Sequence, residues 1–282
     1  MTTTPRYDIR RSIAGKNLGL DGNEDSTGNY MPYLEGDDLL GMRIFKPGNA
    51  FQPGNDYKIG APVRHNDVFD DFMGPVLSTS QWTALTGSDG SNSPVINLQV
   101  GGVVRLTSGA GATHTMAVNG SQFCSSRNFL VSNGGLRYEA RLKVSALTSQ
   151  SFCFGLIDAV TLTAPFTRTT ATTTANGTNA TCFLQDAAST NTHLYAVAVN
   201  AGGTPQSVAL NVDIGTTFDT YRIEIDAAGN AAYYIDGALV ATIALAVATT
   251  SQLAGSVGMF SEATSGSQTC DVDYVGIQQL RV

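Results

Sequence analysis

Charge is scarce in this chain. Of its 282 residues only 14% are Asp, Glu, Lys or Arg, against about a quarter in an average soluble protein. The basic sign is the scarcer, 16 residues against 23 acidic, for a formal net charge of −7 at pH 7. That balance excludes a general nucleic-acid or anionic-membrane binder, which needs Lys and Arg to meet phosphates. Three histidines and four cysteines, with no C-x-x-C pair, do not make a zinc framework or a disulfide scaffold. Cys153 in SFCFGL and Cys182 in ATCFL stand inside strand-like runs, where a thiol behaves as a small hydrophobe. They, Cys124 and Cys270 are therefore expected as buried thiols. No apolar run approaches the ~20 residues of a membrane-spanning helix; the most apolar, Ala238 to Val247, follows a turn signal. The segment MTTTPRYDIRR lacks the apolar core of a signal peptide, so a reducing compartment is expected.

What is present is material for a core. Hydrophobic residues make up 42% of the chain. From Asn66 onward, short runs of β-branched, aromatic and apolar residues recur between Gly, Asn, Asp and Ser: PVINLQV, GVVRLTS, THTMAV, LRYEARLKV, SFCFGLID, TCFLQD, HLYAVAV, SVALNV, TYRIEID, AAYYID, ALVATIA, GSVGMF and DVDYVGIQQLRV. In LRYEARLKV, Leu136, Tyr138, Ala140, Leu142 and Val144 share one face, opposite Arg137, Glu139, Arg141 and Lys143. Such alternation predicts an antiparallel strand with one buried face and one facing water. TYRIEID alternates in the same way, and Asp236-Gly237 between AAYYI and ALVATI predicts a tight primed hairpin turn. The Thr/Ala-rich stretch from Thr161 to Thr181 reads as a long exposed crossover, and its Asn176 and Asn179 match the glycosylation pattern only by chance. Helical periodicity is nearly absent. The expected fold is all-β: two stacked antiparallel sheets spanning 66–282.

Residues 1–65 differ. They hold half of the basic residues, 8 of 16, balanced by 8 acidic ones, which leaves 15 acidic against 8 basic in the body. Phe-x-Pro-Gly-Asn occurs twice, at Phe45 and Phe51, and Pro-Gly presets a type II turn. The segment has no sustained period yet many aromatics, unlike a solvated linker. It reads as an extended N-terminal anchoring arm. Its candidate contacts to another polypeptide are Arg6, Tyr7, Arg10, Arg11, Tyr30, Tyr33, Phe45 and Phe51.

Catalytic motifs are missing. There is no G-x-S-x-G elbow, no phosphate loop and no D-x-D-x-D-G loop. His65, His114 and His193 read as structural; Asp67, Asp70, Asp71, Asp271 and Asp273 read as surface acids. No catalytic residue, cofactor or metal is expected.

DDFMGPVLSTSQWTAL, LRYEARLKV, FCFGLID, TYRIEIDAAGNAAYYIDGALVATI and the closing DVDYVGIQQLRV resemble, over roughly Val68 to Val282, a concanavalin A-like lectin/glucanase jelly roll. The laminarinase-like enzymes of that superfold carry E-x-D-x-x-E on one strand. Here Glu224 and Asp226 start the pattern, but its last position is Gly229, so the resemblance implies the fold without the enzyme. FGLIDA, the Thr/Ala-rich loop, AVAVNAGG, YRIEIDAAGNAAYYIDG and VDYVGIQQLRV further resemble jelly-roll domains of tailed-bacteriophage virion proteins. That implies a non-enzymatic capsid decoration protein of the virion, assembled in the bacterial cytoplasm. It would be homo-oligomeric and anchored by its arm to the major capsid or other virion proteins. The resemblance also leaves a carbohydrate-binding role in adhesion to surface glycans. For that role Tyr195, Tyr233 and Tyr234 are the candidate contacts, while Trp82 reads as core. A glycoside hydrolase is the third reading.

Overall fold

In the computed structural model the described residues are 38–39, 42–43 and most of 65–280, with gaps at 90–93, 98–101, 111–112, 146–148, 190–192 and 263–267. The chain divides into two units, Met1–Arg64 and His65–Val282. In the first, β1 (Asp38–Leu39) pairs antiparallel with β2 (Met42–Arg43). The candidate arm contacts Arg6, Tyr7, Arg10, Arg11, Tyr30, Tyr33, Phe45 and Phe51 lie outside the described residues.

The second unit runs, in chain order, through β3 (His65–Asp70), β4 (Trp82–Thr86), β5 (Val95–Asn97), β6 (Val103–Thr107), the one-turn helix α1 (Met116–Asn119), β7 (Ser121–Ser125), β8 (Phe129–Leu130), β9 (Leu136–Val144) and β10 (Gln150–Ile157). It continues with β11 (Phe166–Thr169), β12 (Thr172–Ala175), β13 (Ala180–Asp186), β14 (Tyr195–Val199), β15 (Gln206–Ala209), β16 (Asp219–Ile225), β17 (Ala231–Ile235), β18 (Ala238–Ile243), β19 (Gln252–Ser261) and β20 (Thr269–Leu280). Sheet I has the order β15-β14-β13-β10-β19-β7-β4, with β8 also on β19. Sheet II has the order β18-β17-β16-β9-β20-β6-β5, with β3 also on β20. The strand pairs within both sheets are antiparallel, and the chain crosses repeatedly between them. This is the expected jelly-roll sandwich.

The alternation in β9 places Leu136, Tyr138, Ala140, Leu142 and Val144 between the sheets. There Phe154 and Phe183 stack at 5.4 Å, and Tyr221 meets both edge-on at 5.1 and 5.5 Å. Phe72, Trp82 and Phe123 form a second aromatic knot, and Trp82 donates its Nε1–H to Asp70 at 2.8 Å. Asp236 and Gly237 both adopt positive φ, 48° and 81°, in the expected turn joining β17 to β18. All four cysteines are buried free thiols.

Two local expectations are corrected. THTMAV supplies helix α1 and not a strand. A short apolar run has no period long enough to separate the two, and the Gly120 N–H closes a helical turn on the Met116 carbonyl. The Thr161–Thr181 stretch is exposed or half-exposed at most positions, as expected, but it is not a plain crossover. It contains the β11–β12 hairpin, whose Phe166 is fully buried on the outer face of sheet I with Cys153, Cys182, Leu184 and Val197. A polar composition hid one apolar anchor. Asn179 is also buried there; its Oδ1 accepts the N–H groups of Ala201 and Ala248 and so ties two loops together.

Candidate functional site

The outer face of sheet II is charged but largely paired. Arg105 meets Asp271 bidentately at 2.6 and 2.9 Å, Arg141 pairs with Asp273, and Arg137 with Glu224 at 2.8 Å. Asp226 closes the β16–β17 turn by accepting the N–H groups of Ala228 and Asn230 and the Asn230 side-chain amide. Those bonds, the Asn230 amide first, lower its carboxyl below the usual range. A cavity of about 480 Å³ lies above Arg137, Glu224, Asp226 and Asn230, but each carboxylate there already serves a neighbour.

The outer face of sheet I holds a different hollow, of about 400 Å³. The β11–β12 flap packs on that face through Phe166, and the hollow lies between α1, β11 and the ends of β13 and β19. Met116, Ala164 and Phe260 form a small apolar cluster there, with Leu162 packed against it. Around it stand His114, Thr163, Thr167, Thr169, Asn176, Asp186 and Glu262. β-strand alternation explains the choice from β11: Thr167 and Thr169 face the hollow, while Arg168 between them turns away. The Arg168 side chain bonds Ser189 and Thr173 and lies 4.0 Å from the centre of the Tyr195 ring.

Asp186 is only 1% exposed, and its two oxygens accept backbone N–H groups from Arg168 at 2.7 Å and Ala188 at 3.0 Å. Glu262 accepts the Ser151 hydroxyl on one oxygen at 2.9 Å. Burial, and then the charge of Asp186, push the Glu262 carboxyl up, against that bond and the opposing influence of His114. The Nε2 of His114 is buried and meets no hydrogen-bond partner among the described residues.

The three tyrosine candidates lie elsewhere. Tyr233 is a correction: it is fully buried in the core, its hydroxyl bonded to Val197 O at 2.9 Å and Thr181 Oγ1 at 2.5 Å. Tyr195 is another, 5% exposed with its ring beneath Arg168. Tyr233, on β17 of sheet II, points into the core between the sheets, and Tyr195, on β14 of sheet I, lies in the outer cluster under the β11–β12 flap, so neither ring reaches solvent. Tyr234 is half-buried on sheet II, with Arg222 stacked 4.2 Å from its centre. His114, which reads from the sequence as structural, lines the hollow; Asp186, Phe260 and Glu262 carry no motif that would have singled them out.

No protein-family model and no curated protein matches the chain. Solved structures do match the fold. A Bacillus licheniformis β-glucanase is 13% identical with a TM-score of 0.52, covering 75% of this chain and 97% of its own. A structure reported with endo-acting O-glycanases of the human gut microbiota that initiate mucin breakdown is 12% identical, TM-score 0.54, covering 76% and 99%. The Emp47p carbohydrate recognition domain is 10% identical, TM-score 0.50, covering 77% and 95%. The body is thus a concanavalin A-like jelly roll, an architecture shared by glycan-cleaving enzymes and a recognition domain. The expectation of a capsid decoration protein is overturned by these neighbours, which are carbohydrate-active and not virion proteins.

Proposed function

We propose that the body is a carbohydrate-binding domain that holds a sugar in the hollow at the end of sheet I without cleaving it. The observation that carries this reading is the convergence of hydroxyl, amide, imidazole and carboxylate groups around the partly exposed Leu162, which packs on the buried cluster of Met116, Ala164 and Phe260. Ligand sites combine an apolar lining with a few placed polar groups in this way, and in this volume range. The fold shared with glucanases and a carbohydrate recognition domain supports it. The non-catalytic part rests on Asp186. Hydrolysis requires two carboxyl groups free to act as acid and as base or nucleophile, and both oxygens of Asp186 are already held by backbone N–H groups. One observation favours hydrolysis instead: Glu262 is a raised carboxyl beside a second acid, as a general acid would be.

A glycan array probed with the purified chain, paired with a reducing-end assay on the glycans retained, separates these readings. Retention at micromolar strength without new reducing ends is expected. Silence across a broad array refutes the binding domain. Reducing ends that vanish in Glu262→Gln refute the non-catalytic assignment.

A further inference from the structure

We propose that the hollow selects sugars bearing a free amino group, with the ammonium set against Glu262. This rests on the carbohydrate-binding reading above and narrows its ligand class. Among the described residues lining the hollow, the ionisable groups are Asp186, Glu262 and His114; no Lys or Arg is among them. Arg168, the cation nearest in sequence to this wall, spends its guanidinium on Ser189, Thr173 and the Tyr195 ring. It therefore leaves the carboxylates without a cation on the hollow side. Asp186 is 1% exposed, with a backbone N–H on each oxygen, whereas the half-buried Glu262 receives the Ser151 hydroxyl on one oxygen and, among the described residues, has its other oxygen left for a ligand. A partly desolvated carboxylate is costly unless a cation meets it, and a charge-assisted bond from an ammonium is the strong way to do so.

The second observation is His114. Its buried Nε2 has no partner among the described residues, and a buried ring nitrogen at a cavity wall calls for one. A turn of the ring into the hollow would give it a sugar hydroxyl, while the partly exposed Leu162, with the edges of Phe260 and Met116, offers apolar surface for the sugar's C–H face. A bare amine would satisfy the charge but not His114 or the apolar wall, so the ligand is an amino sugar and not a simple ammonium ion.

The test is calorimetric titration of the full chain at pH 7.5 with trimers of glucosamine, N-acetylglucosamine and glucose, and with ethanolamine. The glucosamine trimer is expected to bind at least about tenfold more tightly than the other three, as one good charge-assisted contact provides. Glu262→Gln, whose folding is checked by Trp82 fluorescence, is expected to bring the three trimers within about twofold of one another. Equal binding of the neutral, acetylated and amino trimers overturns the amine class and leaves carbohydrate binding intact. So does a preference that survives Glu262→Gln, because the selecting charge is then elsewhere. Ethanolamine binding as tight as the trimer overturns the sugar component, and no binding by any trimer or array glycan overturns both readings together.

Discussion

Removing the Asp186 carboxylate isolates what fastens the β11–β12 flap to sheet I. Asp186 reaches across to the Arg168 N–H at 2.7 Å, and this is a bond between flap and sheet. Its bond to the Ala188 N–H, at 3.0 Å, lies within the turn after β13. Around it, the Thr170 N–H bonds Ala188 O at 3.1 Å and Ser189 Oγ donates to Thr170 O at 3.2 Å. Phe166 supplies the apolar anchor. A hydrogen bond to a charged acceptor contributes about 1.5–3 kcal/mol, so Asp186→Ala should ease flap opening by about ten- to a hundredfold, at ~1.4 kcal/mol per decade. The flap covers its own reporters, since Cys153 and Cys182 share the apolar cluster of Phe166, whereas Cys270 sits between the sheets. Site-resolved thiol labelling under native conditions should therefore show Cys153 and Cys182 accelerated by that factor, with Cys270 unchanged. Local opening, not global unfolding, then sets the rate. Unchanged labelling at Cys153 and Cys182 would refute the fastening role of Asp186. Equal acceleration at Cys270 would refute the flap as a separately opening element.

Three further perturbations follow from the same packing. Glu139 is 2% exposed, and burial raises its carboxyl despite the Tyr274 hydroxyl donating to it at 2.8 Å. A raised carboxyl favours the folded state fully below the unfolded value of about 4.3, and loses that contribution as pH climbs through the folded one. The stability advantage of Glu139→Gln over the natural chain should accordingly grow from pH 4 to pH 7.5 in urea melts; a constant difference would contradict the sign. Gly155 has φ +150°, and a Cβ there would lie 2.4 Å from Thr181 O and 2.8 Å from Cys182 Cα, so Gly155→Ala should cost more than about 3 kcal/mol. A urea midpoint close to that of the natural chain would count against the close approach of β10 to β13. Phe183 touches the rings of Phe154, Tyr221 and Tyr233 at 5.4–5.5 Å; truncation to Ala should lose about 3–5 kcal/mol, read as a drop in the denaturant midpoint with Trp82 as the probe.

Sheet II was legible because water touches one of its faces. LRYEARLKV and TYRIEI alternate, and the structure buries Leu136, Tyr138, Tyr221 and Ile223 as that alternation predicts. Sheet I was only half legible. QSFCFGLI and ATCFLQD are buried at every position, and a strand apolar on both sides needs a second covering layer. That layer is the β11–β12 hairpin, whose composition disguised it: Phe166 is the one large apolar side chain in a run of threonines and alanines. The hollow was illegible for a different reason. His114 comes from the segment before α1, Asp186 from the end of β13 and Glu262 from just past β19, so no local spacing connects them. A faint signal existed, since an acid ending a strand as rich in apolar residues as ATCFLQD must have its oxygens met by something. The flap's Arg168 N–H meets one, and the Ala188 N–H of the following turn meets the other. The flap that packs on this face through Phe166 also supplies Thr167 and Thr169 to the hollow that Glu262 lines. Loss of the flap would therefore remove the wall of the hollow as well as the cover of the thiols, and sugar retention and thiol protection should fail together in Asp186→Ala.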